Sequence, residues 1–180
     1  MRITDSKDST MKKNLGVVLI FVTIVIKSQV AIGKTNVTNT SVSLEFANTE
    51  NKGMIVPYVE STASSTENGT IIYDVTDHKM KYLKQGSWFD LSIDTTGQAN
   101  IAIQQSKTEL TTAKTMIGTN TSDPANGILV LSDTNKAMIL PKVASPHLNI
   151  ISPAPGMMVY DTVKKQLVVY NGTVWSFWKP

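Results

Sequence analysis

After residue 28, the hydrophobic positions of the chain fall in short runs separated by polar turns. Val42, Leu44 and Phe46 alternate with other residues, which is the two-residue period of a half-buried strand. The runs Ile71–Asp74 and Lys79–Leu83 flank four residues of mostly polar character and predict a β-hairpin. An Asp that opens such a loop accepts hydrogen bonds from backbone amides two residues further on. The pattern therefore predicts a β fold for this part of the chain.

The same order of features occurs twice in the sequence. The length difference between the two copies falls in a Pro-rich loop between Val143 and Gly156. Identical order, with the length change confined to a loop, is typical of duplicated units. The matching segments are residues 51–59 with 135–143, residues 69–74 with 156–161, and Trp88 with Trp175. We predict an all-β fold with two tandem copies of a small repeat that contains a β-hairpin, after an N-terminal signal helix.

The repeat predicts a division of the chain into four parts. These are a leader (residues 1–28), a first β repeat (29–91), a linker (92–114) and a second β repeat (115–180). In the linker, Ile101 and Ile103 alternate with smaller or polar residues and suggest one more short strand. Residues 106–114 are compatible with either a helical turn or a loop.

The leader has the pattern of a secretory signal peptide. Two lysines precede a twelve-residue apolar run, Leu15–Ile26, and Lys27 with small and polar residues follows it. Such a run spans about 18 Å as a helix against roughly 30 Å of hydrocarbon, so an anchoring or buried helix is the weaker alternative. Translation is expected to begin at Met11, and cleavage near Ser28 is favoured over cleavage after Gly33. We expect an exported protein, extracellular or at the outer surface, with the periplasm left open and no stable membrane anchor in the mature chain.

Charge and cysteine content narrow the function classes. The net charge of +3 belongs to residues 1–28, and the remaining residues carry twelve cations and twelve anions. A neutral mature chain offers no electrostatic attraction for nucleic acid or anionic lipid. The chain has no Cys, which excludes disulfides, thiolate zinc sites and cysteine nucleophiles.

The residues that carry chemistry are few. The repeat aligns Lys165 with His78, and His147 lies in the loop that is longer in the second copy. Asp74, Asp77 and His78 resemble a fragment of a metal or triad site, but a hairpin loop opened by Asp explains the same residues. We predict no enzyme activity and no catalytic, metal or cofactor-binding residue. A cluster of these three side chains around a buried cleft would favour the enzyme alternative.

The aromatic residues are the predicted contact residues. Trp88 and Trp175 are duplicated at one hairpin position, which favours a role in the core. Trp178, Tyr82 and Tyr170 are predicted to contact a ligand or a neighbouring chain. Aromatic rings also form platforms on which sugars stack, so a glycan is an alternative partner.

The repeat motifs resemble a family of exported surface-protein repeats of Bacteroidetes bacteria and are similar to tail-fibre-like repeats. The family pattern is a hydrophobic strand, then "ST-KG-L-P", "P-GL-IY-T" and "YYNGT-W". The matching segments are residues 44–57, 69–74 and 82–88 in the first copy, and residues 135–141, 155–160 and 170–175 in the second. This chain departs from the pattern at Tyr58, where the family has a basic residue, and at Ala137, where the first copy has Gly53.

The resemblance implies an exported structural or adhesive module, and the likeness to tail fibres implies short strands that neighbouring chains complete. We therefore expect a non-enzymatic cell-surface structural or adhesive repeat protein that forms a homo-oligomer, with a trimer as the expected assembly. A carbohydrate-binding module of a surface glycan-binding system is the alternative. Neither function calls for a cofactor.

Overall fold

Fourteen short strands and two one-turn helices form the fold in the residues that the structure describes. The structure is a computed structural model, and it describes residues 29–110, 112–119 and 124–179. No helix within these ranges is long and apolar enough to cross a membrane. The predicted leader lies outside the described residues. The strands are β1 (Val30–Ile32), β2 (Val42–Phe46), β3 (Met54–Ile55), β4 (Tyr58–Val59), β5 (Ile71–Asp74), β6 (Lys79–Lys84), β7 (Ser87–Asp90), β8 (Thr115–Ile117), β9 (Leu129–Leu131), β10 (Ala137–Ile139), β11 (Lys142–Val143), β12 (Met157–Asp161), β13 (Gln166–Tyr170) and β14 (Trp175–Trp178); the helices are α1 (Ala102–Gln105) and α2 (Pro146–Asn149).

The strands β1–β7 and β8–β14 follow one another in the same order with the same local pairing. β1 pairs in parallel with β2, and β8 pairs in parallel with β9. β4 and β11 pair in parallel with β5 and β12. Each half ends in an antiparallel meander, β5-β6-β7 or β12-β13-β14. The predicted all-β fold with two tandem hairpin-containing copies is confirmed, and we call β1–β7 the first unit and β8–β14 the second unit.

The hairpin loops form as the sequence predicts. In the first unit, the amide of Thr76 donates to Oδ1 of Asp74 over 2.9 Å. In the second unit, the amide of Val163 donates to Oδ1 of Asp161 over 2.9 Å. The Asp that opens each loop therefore fixes the turn by the same bond to the backbone two residues on.

Each unit extends one short strand to the other unit. β3 pairs antiparallel with β12, with Ile55 opposite Met157 and Met54 opposite Met158. β10 pairs in parallel with β2, which therefore lies between β1 and β10. β3 and β10 hold equivalent places in the two units, yet they pair with different kinds of strand. The two units are thus joined by main-chain ladders as well as by side chains.

Two hydrophobic clusters of the core lie on the two faces of the second unit's sheet. The first cluster lies between the units and buries Val56, Tyr73, Met80, Leu91, Met158 and Val169. The second cluster buries Val143, Ile150, Met157, Val159 and Val168, all of them in the second unit. Successive residues of β12 alternate between the clusters, as the two-residue period of a strand requires. Both faces of β12 are therefore covered.

The linker differs from the prediction. The alternation of Ile101 and Ile103 predicts a strand, but the structure has the one-turn helix α1 at this place. The side chain of Asn100 accepts a hydrogen bond from the amide of Ala102 over 3.0 Å and starts the turn. No strand of the described residues pairs with this segment, and Ile103 is exposed. Alternation without a neighbouring strand or a covered face was not enough to form a strand.

Candidate association surface

The first cluster, between the units, is built from equivalent positions of both. Sequence alignment and strand register pair residues of the first unit with residues of the second, and both members of several such pairs belong to this cluster. The pairs are Val56 with Leu140, Ile71 with Met158, Met80 with Leu167, and Tyr82 with Val169. The same face of each unit thus packs against the same face of the other. The chain thus contains a contact through which two copies of its own repeat associate.

Hydrogen bonds connect the second unit with the first unit and with the linker across this cluster. The hydroxyl of Tyr73 donates to the carbonyl of Asn171 over 2.8 Å, and both residues are fully buried. The side-chain amide of Asn171 donates to the carbonyl of Asp94 over 2.8 Å. The hydroxyl of Tyr58 donates to the carbonyl of Pro155 over 3.0 Å. These bonds fix the relative position of the units, because a buried polar group left without a partner destabilises the fold.

The environment of Tyr73 keeps its hydroxyl protonated. Burial, together with the neighbouring Tyr58 and the negative charge of Asp77, raises the pKa of Tyr73 to about 12. A protonated hydroxyl is the donor that the bond to Asn171 requires. This tyrosine is therefore a structural donor at the contact between the units.

Two strand edges that a short strand covers in the other unit stay open in the described residues. β5 pairs with β6 along its whole length, but β4 covers the other side only at Tyr73 and Asp74. β9 pairs with β8 alone, whereas the equivalent β2 has a strand on each side. The difference appears in burial, since Leu129 of β9 is 43% exposed and the equivalent Leu44 of β2 is 1% exposed. Open edges with apolar side chains are where further strands add to a sheet.

The predicted contact residues lie on β6, β13 and β14. Trp178 is 44% exposed, and its indole nitrogen donates to the carbonyl of Leu91 over 2.6 Å, beside the first cluster. Tyr82 packs against that cluster and stacks on Phe89 with 5.4 Å between ring centroids. Tyr170 packs against the second cluster, on the other face of the second unit's sheet. The structure thus places Trp178 and Tyr82 beside the contact between the units and Tyr170 apart from them.

The carboxylates beside His78 form ion pairs with a lysine. The ammonium of Lys81 lies 2.8 Å from Asp74 and 2.5 Å from Asp77. Burial works against the charged forms, but the bonds to Lys81 and Thr76 lower the pKa of Asp74, and the two carboxylates raise the pKa of Lys81. The carboxylate of Asp74 is thus held in its charged form by fixed neighbours. This arrangement stabilises the hairpin.

His78 itself holds a turn position. Its φ is 62°, and the equivalent Lys165 has a φ of 53°, so both residues adopt the left-handed conformation at the end of the hairpin loop. His147, the other histidine, packs edge-on against Phe177 with 5.5 Å between ring centroids. The two histidines therefore lie in different local environments. The turn position that His78 shares with Lys165 explains why His78 lies where it does.

The described residues contain no group of three or more His, Cys, Asp or Glu side chains able to hold a metal ion. A cavity of about 390 Å³ lies beside β1. Its lining consists of Gln29, Ala31, Thr35, Asn36, Val37, Asn39 and Thr40. None of these side chains titrates near neutral pH.

Sequence reasoning missed the residues that join the units. Asn171 is an example: its Oδ1 accepts the amide of Val174 over 2.7 Å within its own turn. The same side chain also donates to Asp94, and its carbonyl accepts the Tyr73 hydroxyl. The sequence does repeat this tyrosine, since Tyr73 corresponds to Tyr160 in the second copy. The repetition indicates that the position matters, but it does not predict which residue the hydroxyl binds.

Comparison with known proteins gives one match. Residues 116–179, roughly a third of the chain, match the family model of a phage tail like trimerisation region. No curated protein and no solved structure shows a significant match. The matched segment runs from within β8 to the residue after β14 and so covers the second unit. The match supports a tail-fibre-like repeat, a structural role and a homo-oligomer: the second unit resembles a phage-tail-like trimerisation region.

Proposed function

We propose that the protein is an exported, non-enzymatic structural or adhesive subunit of a fibre-like homotrimer at the outer cell surface. The observation that carries this proposal is the match of the second unit to a phage tail like trimerisation region. The predicted leader supports export, and the neutral mature chain favours self-association over binding to polyanions.

The packing of the two units supports self-association. Equivalent residues of both units meet in the first cluster, so the chain already contains one contact between two copies of its own repeat. Further copies are supplied by further chains. Because apolar side chains of β9 stay exposed, assembly would remove additional apolar surface from water.

Trp178 is the proposed contact residue for a partner outside the two units. Its indole nitrogen is held by Leu91, which fixes the ring while leaving 44% of the residue exposed. Tyr82 lies beside the same cluster, and Tyr170 is a separate proposed contact. If the adhesive role includes a glycan, binding on a glycan array should be lost in Trp178→Ala and kept in Ile103→Ala, whose side chain on α1 is exposed.

The mass of the purified protein in solution tests the assembly. Light scattering coupled to gel filtration at micromolar concentration should give three times the mass of one chain. A stable monomer over this range would contradict the proposed function. Dilution should shift the mass downward if the contact is reversible.

Cell fractionation with surface proteolysis tests the location. A protease added to intact cells should remove the protein if it lies at the outer surface. A periplasmic marker protein must survive the same treatment. If the protein is cut only after the outer membrane is opened, the proposed surface location is wrong.

A further inference from the structure

The contact between the two units runs in one direction. β3 of the first unit pairs with β12 of the second, but the reverse pair, β10 with β5, is absent from the described strands. A two-fold arrangement would contain both pairs. A one-directional contact is heterologous, and it leaves one unused strand at one end and one unused edge at the other.

The unused edge is the start of β5. In the second unit, the equivalent residues Met157 and Met158 are covered by β3 and are 8% and 2% exposed. In the first unit, Thr70 and Ile71 take these places, and both are only half-buried. No strand of the described residues pairs with them on this side.

The unused strand is β10. Met138 and Ile139 correspond to Met54 and Ile55 of β3, which are the residues that pair with β12. β10 pairs with β2 and with no other described strand, so its second edge remains available. Its sequence and its free edge therefore fit the place beside Thr70 and Ile71.

Side-chain size also fits. A methyl group on Gly53 would lie 2.7 Å from Cγ1 of Val159 and closer still to Met157, so glycine is required where β3 meets β12. At the corresponding contact of β10 with β5, Ala137 replaces Gly53, the smaller Thr70 replaces Met157 and the larger Ile72 replaces Val159. The smaller Thr70 therefore makes room for the added methyl group on the side where Met157 comes closest to Gly53.

We propose that β10 of one copy pairs antiparallel with the start of β5 of a second copy, with Ile139 opposite Thr70 and Met138 opposite Ile71. Within the chain, β10 of the second unit also pairs with β2 of the first unit. If the same arrangement forms between chains, β3 of the second copy pairs with β9 of the first copy, which is the equivalent of β2. Each chain-to-chain contact then contains two strand pairs, and both open edges are covered. This inference rests on the proposed homo-oligomer and names the surface through which it forms.

Cysteine cross-linking tests the pairing, because the natural chain has no Cys. Residues directly opposite on paired strands have Cα atoms about 4.5–5.5 Å apart, which suits a disulfide. The full chain carrying Thr70→Cys with Ile139→Cys should, after mild oxidation, run on a non-reducing denaturing gel as covalent multimers. Mass spectrometry of a digest should find the peptide with residue 70 linked to that with residue 139.

Three variants serve as controls. Ile55→Cys with Met157→Cys places the thiols at the equivalent pair within the chain and should cross-link without raising the covalent mass. Thr70→Cys with Leu148→Cys, whose second thiol lies on exposed α2, should give at least tenfold fewer multimers. Ile71→Cys with Met138→Cys repeats the test at the neighbouring pair if the Thr70 variant folds poorly.

The outcomes separate this inference from the proposed function. A trimer in solution without multimers above the Leu148 control would overturn the β10–β5 pairing and leave the homotrimer intact. A 70–139 disulfide that leaves the mass of one chain unchanged would also overturn the pairing between copies. A monomer by light scattering would overturn both.

Discussion

The two units have the same strands, but opposite halves of them are covered. In the first unit, β2 lies inside a three-stranded sheet, while the start of β5 is an open edge. In the second unit, β12 is covered by β3 and β11, while β9 is an open edge. The covered strands are those that receive a short strand from the other unit. Burial of a strand in this protein is thus decided by the neighbouring unit, and a unit on its own lacks part of its sheet.

The comparison shows why the repeat occurs more than once. Each unit has one short strand of this kind, β3 or β10. Each unit also has two edges that such a strand can cover, one on β2 or β9 and one at the start of β5 or β12. Within one chain, β10 covers the edge of β2 and β3 covers the start of β12, so one edge of each kind is covered. Repeat proteins generally gain stability from contacts between neighbouring units, so the open places favour further copies.

The largest expected difference is between the equivalent leucines of β2 and β9. Leu44→Ala should lower the free energy of unfolding by about 3 kcal/mol, because it removes a fully buried side chain. Leu129→Ala should lower it by less than about 0.5 kcal/mol in dilute monomer, because the residue is largely exposed there. Urea unfolding followed by circular dichroism measures both values.

The stability of these two variants should depend differently on protein concentration. If assembly covers β9, the destabilisation by Leu129→Ala should grow as the concentration rises, since only the assembled state buries the side chain. The destabilisation by Leu44→Ala within one chain should persist at all concentrations. Equal effects of the two variants in dilute solution would contradict the difference in burial between the units.

The next largest effect is expected at the glycine of the first unit. Gly53→Ala should lower the free energy of unfolding by about 2 kcal/mol, because the added methyl group collides with Met157 and Val159. The matched change in the second unit, Ala137→Gly, should cost only about 0.5–1 kcal/mol through backbone entropy. Thermal unfolding compares the two, and a neutral Gly53→Ala would show that β3 does not lie closely against β12.

A smaller effect is expected at the repeated tyrosine. Tyr73→Phe should lower the free energy of unfolding by about 1.5 kcal/mol, because it leaves the buried carbonyl of Asn171 without its donor. Tyr160→Phe is the control, since its half-buried hydroxyl makes no hydrogen bond within the described residues, and it should change stability by less than about 0.5 kcal/mol. Denaturant unfolding near neutral pH is the measurement, and equal effects of the two variants would remove the special role of Tyr73 between the units.

The sequence predicted the local parts of the fold. The predicted hairpin loops at residues 75–78 and 162–165 are confirmed. They could be predicted because two β-rich runs and an Asp that binds the backbone lie within a few residues of each other. The duplication of the whole unit was visible because the order of the motifs repeats. These features need no knowledge of distant contacts.

The sequence did not predict the contacts that join the units. β3 and β4 have two residues each, too few for a periodic pattern, and the partner of β3 lies about a hundred residues further along the chain. The bond from Tyr73 to Asn171 spans 98 positions for the same reason. The bonds of Asn171 within its own turn are local, whereas its role between the units depends on the three-dimensional arrangement.

The last difference concerns stability in acid and involves Glu45, which lies buried in β2 where β9 has Val130. Burial alone would raise the pKa of Glu45, but bonds from Lys34 and Thr38 outweigh it and lower the pKa from 4.5 to about 2. A carboxyl whose pKa is lower in the folded state contributes stability that is fully present above the unfolded pKa of about 4.5 and is lost as the pH falls towards 2. β2 should therefore have an acid sensitivity at this position that β9, with Val130, lacks. The second unit has an acid-sensitive carboxyl elsewhere, in Asp133, whose pKa is lowered to about 2 by bonds from Thr119 and Lys136.

The dependence of the unfolding midpoint on pH measures this difference. The natural chain should lose stability between about pH 4.5 and pH 2, and Glu45→Gln should make that part of the curve less steep, while the contributions of Asp74, Asp133 and Asp161 remain. Glu50→Gln, which removes an exposed carboxylate paired with Lys52, should leave the curve unchanged. If Glu45→Gln kept the full acid dependence, the charge of Glu45 would not distinguish β2 from β9. The difference between these two strands would then rest only on the covering of β2 by β1 and β10.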